Sequence, residues 1–585
     1  MKFLLVALNA KYIHSNPAIY SLRSYAAMQD ERAAGKIELA EYTINQQEGD
    51  ILADLYKRSP DVVAFSCYIW NWSMVQKLSA NLHKVWPKAP IWVGGPEVSY
   101  NAREVLAENP CLTGVMVGEG EETCYALFCH YRDMPEAADG TAGGASGPEN
   151  IPGLVFRRLP SGRIVETGPR KVTDISRLPF LYGDLKAFEN RILYYESSRG
   201  CPFLCSYCLS SIEKKVRLRE IALVRRELAF FLQEKAGQVK FIDRTFNCNH
   251  EHAKAIWRYL LEHDNGVTNF HFEIAADLLD EEELTLLSQM RPGYVQLEIG
   301  VQSTNPETLR EIRRYADMDR LRHAVAVIRD GRNIHIHLDL IAGLPFEDLA
   351  SFQKSFNEVY AMRPQQLQLG FLKVLKGSHM EKMAEQYGIA CTQQPPYEVL
   401  FTKWLSYEDV ILLKRVEEMV ELFYNSNQFS RTLPVLQERF ETPFALFCAL
   451  ADFYEQNGCF VNSPSRAYRY RVLLDFAVRH DPDREALYRE LLVFDLYLRE
   501  NLKSRPDFAP DRSCWRGKIA DFFRKEEKER RYLPDYDGYS AQQLGRMVHV
   551  EVFAEAMGGK ETAVLFDYQK RDPLTHDAYT TEIVL

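Results

Sequence analysis

Short apolar runs separated by helix-length amphipathic stretches open the chain, at residues 3–8, 38–43, 62–68, 91–93 and 115–117. This alternation predicts parallel strands joined by crossover helices. Five such strands make an α/β, doubly wound, Rossmann-like or flavodoxin-like sheet, which takes its ligands beyond the carboxyl ends of the strands. The loops after Leu8, Tyr68 and Val93 are therefore the expected ligand loops.

A second alternating series spans about 193–377, and its strands differ in kind. Ile334, Ile336, Leu338 and Leu340 interleave with His335, His337 and Asp339. Val295, Leu297, Ile299 and Val301 interleave with Gln296, Glu298, Gly300 and Gln302, and Phe270, Phe272 and Ile274 with His271 and Glu273. Gln366 and Gln368 continue the pattern. Parallel strands covered on both sides read as continuous apolar runs, so one face of this sheet is polar. It is either an antiparallel sheet with a wet face or an open barrel whose polar side lines a cavity. Helical segments at 252–263, 281–290, 320–329 and 350–362 are long enough for right-handed crossovers and favour a partial (β/α)6 barrel that holds ligands.

After about residue 395 the texture becomes mainly helical, with long stretches at 407–424 and 443–456 and short strand-like runs at 548–553 and 562–566. No motif there carries chemistry. Residues 135–150, rich in Gly, Ala and acidic side chains, predict a mobile linker or surface loop. The expected division is a Rossmann-like domain at 1–134, a connecting segment at 135–190, the partial barrel at 191–390 and the helical region at 391–585.

Composition narrows the function. A chain of 585 residues is too long for one core, and 46% hydrophobic with 26% charged residues excludes a mainly disordered or fibrous chain. With 71 basic against 81 acidic residues the net charge is -10, which makes nucleic acid an unlikely partner. No apolar run reaches the ~18 residues of a membrane span, and the start turns polar too soon for a signal peptide, so a cytoplasmic protein is expected. Of the 12 cysteines most are scattered and read as small buried hydrophobes.

Three stand together in Gly200-Cys201-Pro202-Phe203-Leu204-Cys205-Ser206-Tyr207-Cys208. Soft thiolates select zinc or iron-sulfur, but a structural zinc needs four ligands and the sequence offers no fourth nearby. A 4Fe-4S cluster held by three thiolates keeps one iron open to an outside ligand. The C-x3-C-x2-C loop, with Tyr207 before its last cysteine, resembles that of the radical SAM superfamily. The resemblance implies that S-adenosyl-L-methionine binds the open iron and is cleaved to a 5'-deoxyadenosyl radical.

It also implies roles on the polar strand faces. Asp243, within Phe241-Ile242-Asp243-Arg244-Thr245-Phe246-Asn247, stands where the family contacts the methionine moiety, although the family's Gly-Gly-Glu wording is absent. Glu273, Glu298, Gln302 and Ser303 stand where the ribose and carboxylate are received. Gly343, in Ile341-Ala342-Gly343-Leu344-Pro345, stands where the backbone packs against adenine. His335, His337 and Asp339 point in parallel, roughly 6 to 7 Å apart, which suits a hydrogen-bond network or substrate better than a second metal.

In the first domain Ser66, the Gly94-Gly95 pair with Glu97, and Gly118 with Glu119 fall at successive strand ends. This order resembles the cobalamin-binding domain ahead of the barrel in class B radical SAM enzymes, and the two resemblances cover residues 1 to about 390. They imply cobalamin bound by those six residues. The D-x-H-x-x-G cobalt loop is missing, and Asn9-Ala10-Lys11-Tyr12-Ile13-His14-Ser15 takes its place, so the lower cobalt face is not expected to be held by a histidine of that motif. The implied activity is methylation of an unactivated carbon, with an electron donor such as flavodoxin or ferredoxin. The alternatives are a radical cyclase or rearrangement enzyme using cobalamin for electron transfer, and a non-catalytic cobalamin sensor.

Overall fold

A computed structural model describes residues 1–134, 148–158 and 160–585. Most of the loop expected at 135–150 lies outside the described residues. The first sheet contains β1 (Phe3–Asn9), β2 (Ile37–Thr43), β3 (Val62–Ser66), β4 (Ile91–Gly94) and β5 (Gly114–Met116), in the order β2-β1-β3-β4-β5 and all parallel. β1 is buried along its whole length because helices cover both faces. Leu4, Val6 and Leu8 enter one apolar layer, and Phe3, Leu5 and Ala7 the other.

The sheet runs past the boundary expected at 134. β6 (Leu154–Arg158) and β7 (Arg163–Glu166) add antiparallel to β5 and complete seven strands. Leu154, Val155 and Phe156 are buried on alternate faces, which ties this part of the connecting segment to the first domain.

The barrel comprises β8 (Leu193–Tyr195), β11 (Gln238–Phe241), β12 (Asn269–Ile274), β13 (Val295–Gln302), β14 (His335–Ala342) and β15 (Gln366–Phe371). Its six strands are parallel and open, in the order β15-β14-β13-β12-β11-β8. Residue by residue, β13 and β14 alternate between fully and half-buried positions, so the polar residues face the interior and the apolar ones the outer helices. Between β8 and β11 a two-residue ladder, β9 (Ser198–Arg199) with β10 (Arg217–Leu218), forms the base of the cysteine loop.

An open barrel leaves strand edges unpaired, and β15 would be one of them. The C-terminal region covers it. Helix Tyr407–Met419 continues as a π-helix, Val420–Asn425, which turns Asn425 onto the edge. The Leu367 amide donates to Asn425 Oδ1 and Asn425 Nδ2 donates to the Leu367 carbonyl, both at 2.9 Å. Phe444 and Phe447, on helix Pro443–Gln456, pack against Phe356 on helix Leu349–Ala361 with ring centroids 5.4 and 5.8 Å apart. Short strands β16 (Ala390–Cys391) and β17 (Val399–Phe401) precede these helices. The chain ends in an antiparallel sheet of β18 (Val548–Phe553), β19 (Thr562–Arg571) and β20 (Ala578–Ile583). The strand-like runs near the end thus gain a third partner, whose mostly exposed polar residues carry little apolar signal. Among the described residues no helix is long and apolar enough to cross a membrane.

Ser303, just past β13, is fully buried. Its hydroxyl donates to Glu347 Oε1 at 2.6 Å, and the Ser355 hydroxyl donates to the same oxygen at 3.1 Å. This bond set ties the end of β13 to helix Leu349–Ala361. Burial pushes the Glu347 carboxyl up to about 7, against the pull of the two serines.

Two predictions follow from these contacts. Replacing Asn425 by Leu removes both bonds to the edge strand and should cost about 1–3 kcal/mol, read as a lower denaturation midpoint with faster exchange of the Leu367 amide. Glu347 holds its proton more tightly when folded, so its contribution to stability is full below the ordinary value of 4.5 and declines as pH rises to about 7. Glu347→Gln should flatten that part of the stability-against-pH curve, by at most about 3 kcal/mol.

Candidate active site

The cysteine loop leaves and re-enters the β9–β10 ladder, where Arg199 lies opposite Arg217. Gly200 turns the chain with φ +100°, and a Cβ there would lie 2.5 Å from the Lys215 carbonyl, so the turn admits only glycine. Backbone bonds pin the loop from outside. The Ser206 amide donates to the Ile312 carbonyl at 2.9 Å, and the Met380 amide donates to the Ser206 carbonyl at 2.8 Å. Cys201 and Cys205 are buried and Cys208 is half-buried. Tyr207 packs with Leu309, Ile312, Met380 and Tyr387 and anchors the loop in an apolar cluster.

Cys201 Sγ lies 3.6 Å from Thr245 Oγ1, and Arg314 Nη1 lies 3.9 Å from Cys205 Sγ. Burial pushes the Cys205 thiol up, and the Arg314 guanidinium opposes that rise. Arg314 also donates to the Gly300 carbonyl. No sequence signal singled it out, since it stands 109 positions from Cys205 and joins it only through the fold.

A single tetrahedral ion bonded at about 2.3 Å would draw its sulfurs to about 4 Å from one another. Among the described residues, the ligand atoms that converge within 4.8 Å belong instead to His250, Asp280 and Glu283. The carboxylates of that trio already serve the fold, although Glu283 Oε1 is buried without a partner. Asp280 and Glu283 form the capping box of helix Glu281–Ser288, and Lys254 Nζ sits 2.7 Å from Asp280. Cys201, Cys205 and Cys208 do not form a group drawn together within 4.8 Å, as a single tetrahedral ion would require.

The lumen is strongly polar. Glu298 accepts from Lys240 Nζ at 2.9 Å and lies 3.0 Å from His271 Nε2. Burial opposes its ionisation, but these two partners outweigh burial and hold the carboxyl well below the usual range. Burial raises the Glu273 carboxyl, which lies 3.9 Å from Lys240. His337 Nε2 stands 2.9 Å from Asp339 Oδ1, and burial pushes His335 down to about 4.

Gln302 sits at a bulge in β13 with φ +72°, and its amide folds back over Gly300, where any Cβ would collide with it. Asp339 is the β14 partner of Gly300. Around Gly300, Gln302 Oε1 and Arg314 Nε are buried without a hydrogen bond, and Asp339 Oδ1 meets only His337 Nε2. Such a set suits a zwitterionic ligand that would complete those bonds.

Other expected residues are placed differently. Both Asp243 oxygens are taken: Oδ2 accepts from the Ser197 amide at 3.0 Å, and Oδ1 from the Ser197 and Ser198 hydroxyls at 2.6 Å. Burial pushes this carboxyl up to about 7, and its visible work is to hold the chain entering the cysteine loop. Ser303 is sealed against Glu347. Gly343, with φ +88°, admits the close approach of Val399, whose Cγ1 would lie 2.8 Å from a Cβ.

In the first domain, the Ser66 carbonyl accepts from Asn71 Nδ2 at 2.9 Å. Gly94 packs on Met116, and at Gly95, with φ +116°, a Cβ would collide with the Cys67 carbonyl. Gly118, with φ +78°, opens onto free space, as a backbone that admits a bulky ligand must. Beyond Ser66, Tyr68 and Trp70 stack with centroids 4.3 Å apart and form an aromatic ledge that the strand pattern alone did not reveal. Glu97 and Glu119 turn toward the barrel side. Glu97 accepts from the Tyr397 hydroxyl at 2.6 Å, and Glu119 pairs with Arg217 and Arg199. His14 Nδ1 shares a 2.6 Å hydrogen bond with the Tyr194 hydroxyl on β8. The ligand edge of the first sheet therefore meets the barrel at its first strand, and the open backbone there fits a large planar cofactor.

Three stretches of the chain match known protein families. Residues 4–128 match the B12 binding domain, residues 195–359 the Radical SAM superfamily, and residues 385–568 a protein of unknown function (DUF4080). The chain is 26% identical over 399 residues to the cobalamin-dependent radical SAM methyltransferase TokK of Streptomyces tokunonensis, covering 64% of this chain and 56% of that protein. It is 22% identical over 391 residues to the anaerobic magnesium-protoporphyrin IX monomethyl ester cyclase of Synechocystis sp., covering 61% of this chain and 73% of that protein. The fold is shared with the cobalamin-dependent S-adenosylmethionine radical enzyme OxsB, at a TM-score of 0.57, 13% identity, and coverage of 85% of this chain and 83% of that one. The chain thus carries a B12 binding domain ahead of a radical SAM domain, the arrangement of class B radical SAM enzymes, with cobalamin, a 4Fe-4S cluster and S-adenosyl-L-methionine as its cofactors.

Proposed function

We propose that this enzyme methylates an unactivated carbon of a substrate bound between the barrel mouth and the cobalamin domain. The observation that carries the reading is the meeting of two ligand edges, marked by His14 against Tyr194 at 2.6 Å. When bound, the cluster with S-adenosyl-L-methionine supplies a 5'-deoxyadenosyl radical and cobalamin supplies the methyl group. Cys201, Cys205 and Cys208 would hold the cluster, and Gln302, Arg314 and Asp339 would receive the polar end of S-adenosyl-L-methionine around Gly300. Glu273 and the Glu298–Lys240–His271 set line the deeper lumen, where they would orient polar groups of the substrate. Ser66, Gly94, Gly95 and Gly118 would give the corrin its backbone bed, with Tyr68 and Trp70 excluding water at its rim.

The relative named as a methyltransferase supports transfer of a methyl group. A second reading, radical cyclisation or rearrangement with cobalamin carrying electrons, draws on the cyclase relative, which the chain matches over 73% of that protein's length. Either reaction needs a one-electron donor, which we assign to a flavodoxin or ferredoxin in the cytoplasm.

Replacing Cys201, Cys205 and Cys208 together by alanine should remove the protein's iron and abolish dithionite-driven release of 5'-deoxyadenosine while cobalamin stays bound. In the wild-type enzyme, methylation requires S-adenosylhomocysteine alongside 5'-deoxyadenosine when the two are quantified by mass spectrometry. 5'-Deoxyadenosine alone, on turnover with substrate, would move the assignment to the cyclase.

A further inference from the structure

We propose that Glu41, Glu97, Glu119 and Glu121, the carboxylates at the ligand edge of the first sheet, are not corrin contacts but a clamp that fixes the cobalamin domain to the base of the cysteine loop. The inference rests on the methylation reading in one respect, that both cofactors must be held at a set separation.

Each carboxylate is engaged, and each reaches a partner beyond the first sheet. Glu41, near the end of β2, pairs with Arg191 at 2.8 Å, just ahead of β8, while Tyr20, Asn9 and the Asn16 amide donate to its two oxygens at 2.6–3.0 Å. Glu97, after β4, is buried and accepts from Tyr397, which follows the barrel. Glu119, after β5, lies 3.2 Å from Arg217 Nη1 and 3.3 Å from Arg199 Nη1, and accepts from the Thr173 amide at 3.0 Å. Glu121 accepts from Arg199 Nη2 at 3.0 Å and from the Ser21 hydroxyl at 3.1 Å. Donors thus face these oxygens where a ligand would otherwise sit.

Across this contact the first domain supplies acids, while the barrel side supplies Arg191, Arg199, Arg217 and the Tyr397 hydroxyl; Arg199 and Arg217 also carry local partners, Glu196 at 2.7 Å and Glu213 at 2.8 Å. Arg199 and Arg217 are cross-strand partners in the ladder that closes the cysteine loop, and Arg199 stands two residues before Cys201. Like charges opposite one another repel, and besides the local Glu196 and Glu213 it is Glu119, reaching both arginines from the other domain, that bridges the pair. Glu119 touches both arginines and Glu121 touches Arg199, which couples the β5 loop beside Gly118 to the cluster loop. Paired charges fix the two domains against each other, and a misplacement of about 1 Å between reacting groups can cost about a hundredfold in rate. These four are positioning residues.

Hydrogen exchange on the holoenzyme tests the clamp. Arg217→Met should keep cobalamin absorbance and iron content at wild-type levels while amide exchange over residues 117–121 and 199–217 rises together by at least tenfold. Arg217→Lys should restore most of the protection. Tyr397→Phe, which deletes one hydroxyl and spares the fold, should raise exchange over 94–98 alone. Unchanged exchange in Arg217→Met and Tyr397→Phe would overturn the proposal, as would loss of cobalamin from Glu97→Gln and Glu119→Gln with exchange unaltered, since those carboxylates would then be ligands. Failure of the methylation reading looks different: the wild-type enzyme would form no S-adenosylhomocysteine, and the exchange pattern would be untouched.

Discussion

Three thiols within eight residues keep one arrangement only while the loop that carries them is held at its base. A ladder of two residue pairs closes it, Ser198 with Leu218 and Arg199 with Arg217. So short a ladder has little stability of its own. It is held from below by Asp243, whose oxygens take the Ser197 amide and the Ser197 and Ser198 hydroxyls, and from the side by Ile312 and Met380, which bond to Ser206. The cysteine loop is thus held by segments that include Ile312 and Met380, more than a hundred residues further along the chain.

A polar lumen carries an electrostatic cost that the enzyme meets by pairing. Lys240 and His271 converge on Glu298, and His337 stands beside Asp339, so most of the charge inside the barrel is compensated before any ligand arrives. What stays uncompensated gathers around Gly300, where the bulge in β13 gives Gln302 a left-handed backbone and Arg314 reaches in from the following segment. Local strain and unsatisfied polar atoms coincide there, as expected where a fold is shaped for a ligand rather than for stability.

The C-terminal region acts on the scaffold. By bonding Asn425 to Leu367 it covers the β15 edge of an incomplete barrel, and by packing Phe444 and Phe447 on Phe356 it joins its helices to the barrel's outer core. Through Tyr397, at the start of this region, it also reaches Glu97 beside the Gly94-Gly95 loop. The segment that carries no chemical motif therefore contacts both ligand-binding domains.

Periodicity in the chain was enough to determine the two α/β series, the polar inner face of β12, β13 and β14, and the spacing of Cys201, Cys205 and Cys208, because strand alternation and local loop chemistry depend on neighbours a few residues apart. The tertiary structure decided what the expected polar residues do. Asp243, Ser303, Glu97 and Glu119 fall at strand ends where a ligand residue and a bracing residue look the same in one dimension. Their partners Ser197, Glu347, Tyr397 and Arg217 lie 44 to 300 positions away. Arg314 was invisible for the same reason. Its charge is unremarkable until the fold sets it between Cys205 and Gly300. Local order is written in nearest neighbours, whereas a partner across the fold is chosen only when the chain has packed.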